Sequence, residues 1–306
     1  MDKVIVTGGA GFIGSHLAGA LIEKGYEVHI IDNLSGGKKG NVNSRAVFHQ
    51  KDIRDFAEIA PIFKNGKYVF HLAARPRVQV SIQDPLATNA VNVDGTLNVL
   101  VAARDAKAKR LVFSSSSSVY GNQKTLPLRE NMEANPLSPY GLHKLIGEQY
   151  CVLFGVVYGL EAVSLRYFNV YGPGMNPKGA YALAIGKFFE QRKKNKPLTI
   201  TSDGKQSRDF THVRDVARAN LLAAESAKVG KGEVINIGAG ENRTILEVAD
   251  LIGGPKVFVE PRLEPKHTLA DNKKARNLIG WKPEITLEEG MEELKRVNGI
   301  NGNKIV

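Results

Sequence analysis

Thr7-Gly8-Gly9-Ala10-Gly11-Phe12-Ile13-Gly14 lies between a β-branched run, Val4–Thr7, and a helix-length periodic stretch, Phe12–Lys24. Its glycines at 8, 11 and 14 spell G-x-x-G-x-x-G. Gly8 permits a tight turn, Gly11 lets the backbone approach a pyrophosphate, and Gly14 lets the helix pack close to the strand. The helix start offers unpaired N–H groups and a positive dipole end to an anion. Alone, the pattern also fits a plain strand-turn-helix, so its neighbourhood has to narrow the reading.

The neighbourhood does so. Asp32 closes the next β-branched run, 18 residues beyond Gly14, and Asn33 follows it. A carboxylate there accepts hydrogen bonds from an adenosine ribose and repels a 2′-phosphate, which favours NAD over NADP. Lys38 and Lys39, a few residues on, are the one feature that would suit NADP. Asp52-Ile53 follows a third strand-like run, and His71-Leu72-Ala73-Ala74 a fourth. Small residues at 73 and 74 would let the chain lie against a cofactor.

Further out, the runs Glu27–Asp32, Ala46–His49, Tyr68–Leu72, Arg110–Ser114 and Ala162–Leu165 alternate with helical stretches that include Thr88–Ala106 and Pro139–Tyr158. Strands alternating with helices imply right-handed crossovers and a mainly parallel, doubly wound α/β sheet, with ligands beyond the carboxyl ends of its strands. After about Asn169 the texture changes to Pro- and Gly-rich loops, with strands at Leu198–Thr201 and Val234–Ile237. This suggests a Rossmann-type domain of residues 1–168 plus about 208–240. A smaller, discontinuous α/β domain would take about 169–207 plus 241–306.

The 306 residues are 42% hydrophobic and 24% charged, a composition that supports a packed core and does not imply disorder. One cysteine, Cys151, rules out an internal disulfide and suits a buried small hydrophobe in a reducing, cytoplasmic setting. No leader with a cleavage site and no membrane-length apolar run is visible. The net charge of +11 is scattered, without an aromatic-interleaved stripe. That argues for a solvated basic surface or steering of small polyanions, and against nucleic acid.

Chemistry enters with Tyr140-Gly141-Leu142-His143-Lys144. Residues i and i+4 share a helix face. A phenol with pKa near ~10 becomes a usable base when a fixed cation stands beside it. Upstream, Leu111-Val112-Phe113 runs into Ser114–Ser118 at a strand's carboxyl end. A serine there can bridge a substrate hydroxyl and the tyrosine; chemistry alone does not say which of the five acts. No cluster suggests a metal.

Together these motifs resemble the nucleotide-sugar epimerase/dehydratase branch of the extended short-chain dehydrogenases/reductases, across roughly residues 3–282. They are T-G-G-A-G-F-I-G, H-L-A-A, S-S-S-x-x-V-Y-G, S-P-Y-G-x-x-K, R-Y-F-N-V-Y-G-P and R-D-F-x-H-V-x-D. Carried over by position, the resemblance makes Ser116, Tyr140 and Lys144 the catalytic set, with Lys144 also on the nicotinamide ribose. It adds Asn92 and Tyr167 to the cofactor set of Gly8, Gly11, Phe12, Ile13, Gly14, Asp32, Asn33, Asp52, Ile53, Leu72, Ala73, Ala74, Tyr140 and Lys144. Phe168 would also lie near the nicotinamide. The implied substrate contacts are Ser116, Ser117, Tyr140, Asn169, Thr199, Arg208, Arg262, Glu264 and Thr268, with Asn169 and Arg208 on the diphosphate. His143 departs from the family, which has a small hydroxyl residue there; a surface or cofactor-edge position is expected for it. The clamp Glu260–Asp271 is one residue shorter than usual between Arg262 and Glu264, which leaves the phosphate role of Arg262 open.

Dehydratases of this family carry Asp-Glu after the catalytic hydroxyl residue; here Ser117 and Ser118 stand there. What the resemblance then implies is NAD-dependent 4-epimerisation of a UDP-hexose or UDP-N-acetylhexosamine through a 4-keto sugar. Thr268 occupies the position that gates the sugar pocket, and its small size implies room for an N-acetyl group. Met175–Tyr181 likewise resembles the N-acetylhexosamine enzymes. Alternatives are other 4-keto chemistry (uronate epimerisation, decarboxylation or reduction) and a non-catalytic dinucleotide sensor. Residues Tyr150–Tyr158 are apolar nearly all round, as a helix buried on every face would be. The resemblance implies a homodimer through that helix and Thr88–Ala106.

Overall fold

Strands covered on both faces need apolar side chains at every position, and Val4, Ile5 and Val6 are all fully buried. Because side chains alternate, Val4 and Val6 enter one core with Leu17, Val28 and Ile30, while Ile5 enters another with Ile31, Val69, Val99 and Phe113. The computed structural model describes residues 1–76, 78–176, 184–260 and 266–300. Seven strands form one parallel sheet: β1 (Lys3–Thr7), β2 (Glu27–Ile31), β3 (Val47–His49), β4 (Gly66–His71), β5 (Arg110–Ser116), β6 (Ala162–Tyr167) and β7 (Lys231–Ile237). Their order is β7-β6-β5-β4-β1-β2-β3. The order reverses between β1 and β4, the switch point where such sheets take a ligand.

This is the doubly wound α/β class that the alternation implies. The expected return of Val234–Ile237 to the sheet is met by β7, parallel to β6. A separate core gathers Tyr171, Phe188, Leu198, Ile200, Phe210, Ile245, Val248 and Met291. Around it, Leu198–Thr201 pairs with Lys256–Val259, and Ser207–Asp209 with Asn242–Thr244. Ala275, Ile279 and Trp281 pack instead into the sheet's own core, although sequence reading gave them to the smaller domain. Trp281 Nε1 donates to the Asp215 carbonyl at 2.8 Å, tying the tail to the helix Val213–Glu225.

The helix Pro139–Tyr158 starts with Pro139 in its first turn, behind a Ser138 cap whose Oγ accepts from Gly141 N at 3.2 Å. Its own chain does not bury it on every face: Leu153, Val156, Val157 and Tyr158 are exposed, which leaves burial by a second copy as the other half of the expectation. The apolar run is wider than the strip its own chain covers. Cys151, by contrast, is fully buried as expected, and burial pushes its thiol up to about 12. Among the described residues no helix is long and apolar enough to cross a membrane.

Candidate active site

At the β1 turn the glycines have steric reasons to be glycines. Gly8 has φ +74°, and a Cβ there would lie 2.7 Å from Ala73 N. A Cβ on Gly14 would lie 2.1 Å from Gly8 O. The turn, the helix Phe12–Glu23 and the segment Leu72–Ala74 therefore touch backbone to backbone. No side chain caps this helix at Gly11, and a helix start leaves its first N–H groups without intrahelical partners. Asp32 stands at the end of β2, accepting from Ala10 N at 3.0 Å and Leu34 N at 2.8 Å. Asp52 accepts from Arg54 and from Asn33 Nδ2, and those donors hold its carboxyl well below the usual range. Ile53 turns into the core, 2.6 Å from where a Gly95 Cβ would sit.

Asn92 acts on the chain and not at the surface. It is buried in a widened helical turn, Ala90–Asp94, where Oδ1 accepts from Arg75 N at 2.7 Å and Nδ2 donates to Arg75 O at 3.1 Å. It thus pins the loop that follows Leu72-Ala73-Ala74. Beneath that loop lies a relay that sequence reading missed. Thr96 Oγ1 donates to Asn92 O, so His71 Nε2 is the donor toward Thr96 Oγ1 at 2.9 Å. His71 Nδ1 then accepts from Thr7 Oγ1 at 2.7 Å. Burial lowers the His71 pKa to about 3, so the ring is neutral at physiological pH.

Tyr140 and Lys144 lie on one helix and share surroundings. Tyr140 is 5% exposed, and its N–H donates to Ser81 Oγ at 3.1 Å. Lys144 Nζ donates to the Ser114 carbonyl at 2.6 Å, 4.9 Å from the Phe113 ring centre and 5.9 Å from that of Tyr140. Burial lowers its pKa to about 8, with Glu148 opposing the fall. The side chain is thus an ammonium at neutral pH. Gly141 lets the helix start abut the serine segment: a Cβ there would meet Ser118 O at 2.7 Å.

The serines have different partners. Ser114 gives its carbonyl to Lys144, and Ser115 Oγ donates to Glu148. Ser116 ends β5, half-buried, with its Oγ bonded to Ser118 Oγ, and it pairs in register with Tyr167 of β6. Ser117 opens the short turn Ser117–Val119. Tyr167 is buried and donates to Asn220 Oδ1 at 2.9 Å; Phe168 is fully buried against Tyr120. His143 is buried, 5% exposed, which corrects the surface alternative of the two positions expected for it.

On the substrate side, Asn169 adopts φ +30° and its Nδ2 donates to Asp209 O and to Thr268 Oγ1. Thr268 Oγ1 also accepts from Asp209 N. Asp209 is the organiser here, accepting from Ala239, Gly240 and Ala270 N–H groups. Asp215 is engaged by Arg218, Glu284 N and Ile285 N. Arg208 Nη1 donates to Ser207 O and Lys266 O. Thr199 is turned to Gln191, exchanging two hydrogen bonds with it. Arg262 and Glu264 lie outside the described residues, as do positions 177–181 of the Met175–Tyr181 motif. Among the described residues no group of three or more metal-ligating side chains assembles.

Against known proteins, the profile of the NAD dependent epimerase/dehydratase family matches residues 4–238. A putative UDP-glucose 4-epimerase of Methanocaldococcus jannaschii is 43% identical, covering 98% of this chain and 99% of its own. The UDP-N-acetylglucosamine 4-epimerase of Methanobrevibacter ruminantium, solved with UDP-N-acetylmuramic acid, superposes with TM-score 0.91 at 39% identity, covering 95% of this chain and 96% of that one. The UDP-glucose 4-epimerase of Thermotoga maritima, solved with UDP-glucose, gives TM-score 0.91 at 38% identity, covering 96% and 99%.

Proposed function

Because the chain belongs to the NAD-dependent epimerase/dehydratase family, we propose that it interconverts UDP-hexoses or UDP-N-acetylhexosamines at C4 through a transient 4-keto sugar. One observation carries this: an ammonium, buried and bonded to the Ser114 carbonyl, sits beside the Tyr140 ring at the carboxyl end of β5. A cation so placed favours the phenolate. Tyr140 Oη takes the proton of the sugar 4-hydroxyl and later returns one, while Ser116 orients that hydroxyl.

The residues around the β1 turn suit a dinucleotide. The uncapped helix start receives the pyrophosphate, Gly8 and Gly14 admit close approach, and Asp32 meets the adenosine ribose. NAD held there would supply a reversible hydride acceptor for C4. Lys144 holds its proton and orients the nicotinamide ribose. Arg208 and Asn169 grip the diphosphate, so that binding energy sits away from the reacting carbon and the sugar stays free to turn.

Thr268, small and held between Asn169 and Asp209, leaves space for an N-acetyl group. Residues 1–168 plus about 208–240, with Ala275, Ile279 and Trp281 packed onto them, form the NAD domain in this reading, and the rest of the chain grips the nucleotide-sugar. The exposed apolar strip of the helix Pro139–Tyr158 is covered by a second copy, in the cytoplasm. The test is purified enzyme given a panel of UDP-sugars without added reductant. Equilibration of C4 epimers, lost in Tyr140→Phe, is expected; no epimerisation of any member would refute the reading.

A further inference from the structure

Directly behind the Tyr140–Lys144 pair lies a buried network that the proposed chemistry does not use. Glu148 is 1% exposed and one helical turn beyond Lys144. Arg166 of β6 grips it in bidentate fashion, Nε to Oε1 at 2.8 Å and Nη2 to Oε2 at 2.7 Å. Ser115 Oγ donates to Oε1 as well. The guanidinium lies 4.5 Å from the Tyr120 ring centre, and Tyr120 Oη donates to Asn236 Oδ1 of β7 at 2.6 Å. Asn236 Nδ2 in turn donates to the carbonyls of Leu128 and Asp271, near Thr268 in the chain.

An ion pair this deep is costly to build, and an apolar substitute of similar volume often serves stability as well. Its location suggests a different use. Ser115 immediately precedes Ser116, and Glu148 follows Lys144 on the same helix. The clamp therefore joins both halves of the catalytic set at one carboxylate.

We propose that Glu148, clamped by Arg166 and Ser115, is a positioning residue that fixes the charge balance around the Tyr140–Lys144 pair and the register of Ser116 against it. This rests on reading that pair as the proton-transfer centre. Among the described residues, the groups facing Lys144 are Tyr140, His143, Glu148 and Cys151 of its own helix, the Ser114 carbonyl and Phe113 ring of β5, and His71 of β4. His71 is neutral, and burial holds Cys151 as the thiol. Glu148 is then the anion of this set, and Arg166 is its counter-ion. With both present, this set of described residues carries one surplus positive charge, on Lys144. Neutralising Glu148 adds a second, unbalanced one. Every proton held by the Tyr140–Lys144 pair is then released at lower pH, whichever of the two groups it is assigned to. Neutralising Arg166 does the reverse.

The experiment is an absorbance titration of tyrosinate in the NAD-loaded enzyme, each variant read against its own Tyr140→Phe counterpart. No substrate is needed, so the midpoint is measured independently of whether a UDP-sugar is turned over. Glu148→Gln, which keeps an acceptor for Ser115 and Arg166, should move the midpoint down by about one pH unit or more, a tenfold change in the ionisation constant. Arg166→Gln should move it up, and serves alone should the first variant not fold. The double variant restores charge balance and should return the midpoint to the wild-type value. A midpoint unmoved in either folded single variant, or a double variant displaced as far as a single one, overturns the proposal. A purely structural role for Glu148 would lower turnover without moving the midpoint.

Discussion

Substituting Gly14 by alanine puts the cofactor reading under direct strain. The added Cβ would lie 2.1 Å from Gly8 O, 2.8 Å from Gly9 Cα and 2.9 Å from Gly8 C. All three are backbone atoms of the same tight turn, so no side-chain rotation relieves the clash. The helix Phe12–Glu23 must retreat from the turn by about 1 Å, at an overpacking cost of about 1–3 kcal/mol. Its first-turn N–H groups retreat with it from the pyrophosphate position. Hydrogen bonds to a charged group contribute about 1.5–3 kcal/mol each. Weakening two of them lowers NAD affinity by about 10²–10⁴-fold, at tenfold per ~1.4 kcal/mol. The assay is NAD retained per chain after purification, with calorimetric titration of stripped protein and a thermal melt. Gly19→Ala is the control: it lies on the same helix, and nothing stands within 4 Å of its Cβ. It should stabilise the protein by about 0.5–1 kcal/mol and leave NAD binding intact. If Gly14→Ala binds NAD as tightly as the parent, the glycine is not there for the cofactor.

Tyr140→Phe should retain NAD and lose about 10²–10⁴-fold in kcat, as loss of a positioned acid–base group does; the check is NAD content alongside steady-state rates. Burial lowers Lys144 from its ordinary 10.5 to about 8, so the ammonium is present below that value and is lost as pH rises through it. The kcat–pH profile should therefore decline above about pH 8, and a rate flat to pH 10 would contradict it. Thr268→Tyr should abolish turnover of UDP-N-acetylgalactosamine while sparing UDP-galactose, measured as a ratio of kcat/KM values. Val156→Glu, at an exposed position on the helix Pro139–Tyr158, should convert a dimer to a monomer by light scattering.

How far the sequence could be read depended on the range of the interactions. The glycine turn, Asp32 and the Tyr140–Lys144 pair are local patterns whose spacing alone fixes a turn or a helix face, and each has the geometry those spacings imply. The strands were legible because both their faces are buried, leaving unbroken apolar runs. The helix Phe56–Phe63 was less visible: Pro61 sits inside it, yet Asp55 caps it and Ile59 and Phe63 anchor it in the core. Tertiary burial there outweighs local propensity. For the helix Pro139–Tyr158, composition told how apolar the surface is and not whether its own chain or a second copy covers it. The Glu148–Arg166 clamp and the His71 relay escaped because their partners are far apart in the chain, 18 residues in the clamp and 25 and 64 in the relay. Only the i+4 spacing from Lys144 to Glu148 hinted at the first. Among the serines, the hydrogen bond that commits Ser115 Oγ to Glu148 could not be read from the sequence.

The central claim is that the hydrogen on C4 leaves as a hydride and comes back to the same carbon, while Tyr140 handles only the hydroxyl proton. UDP-glucose carrying deuterium at C4, incubated with the enzyme in ordinary water and followed by mass spectrometry and proton NMR, tests it most directly. The expected product is UDP-galactose that keeps the deuterium at C4, with none released to solvent. Product that has exchanged its C4 label for solvent hydrogen would contradict it.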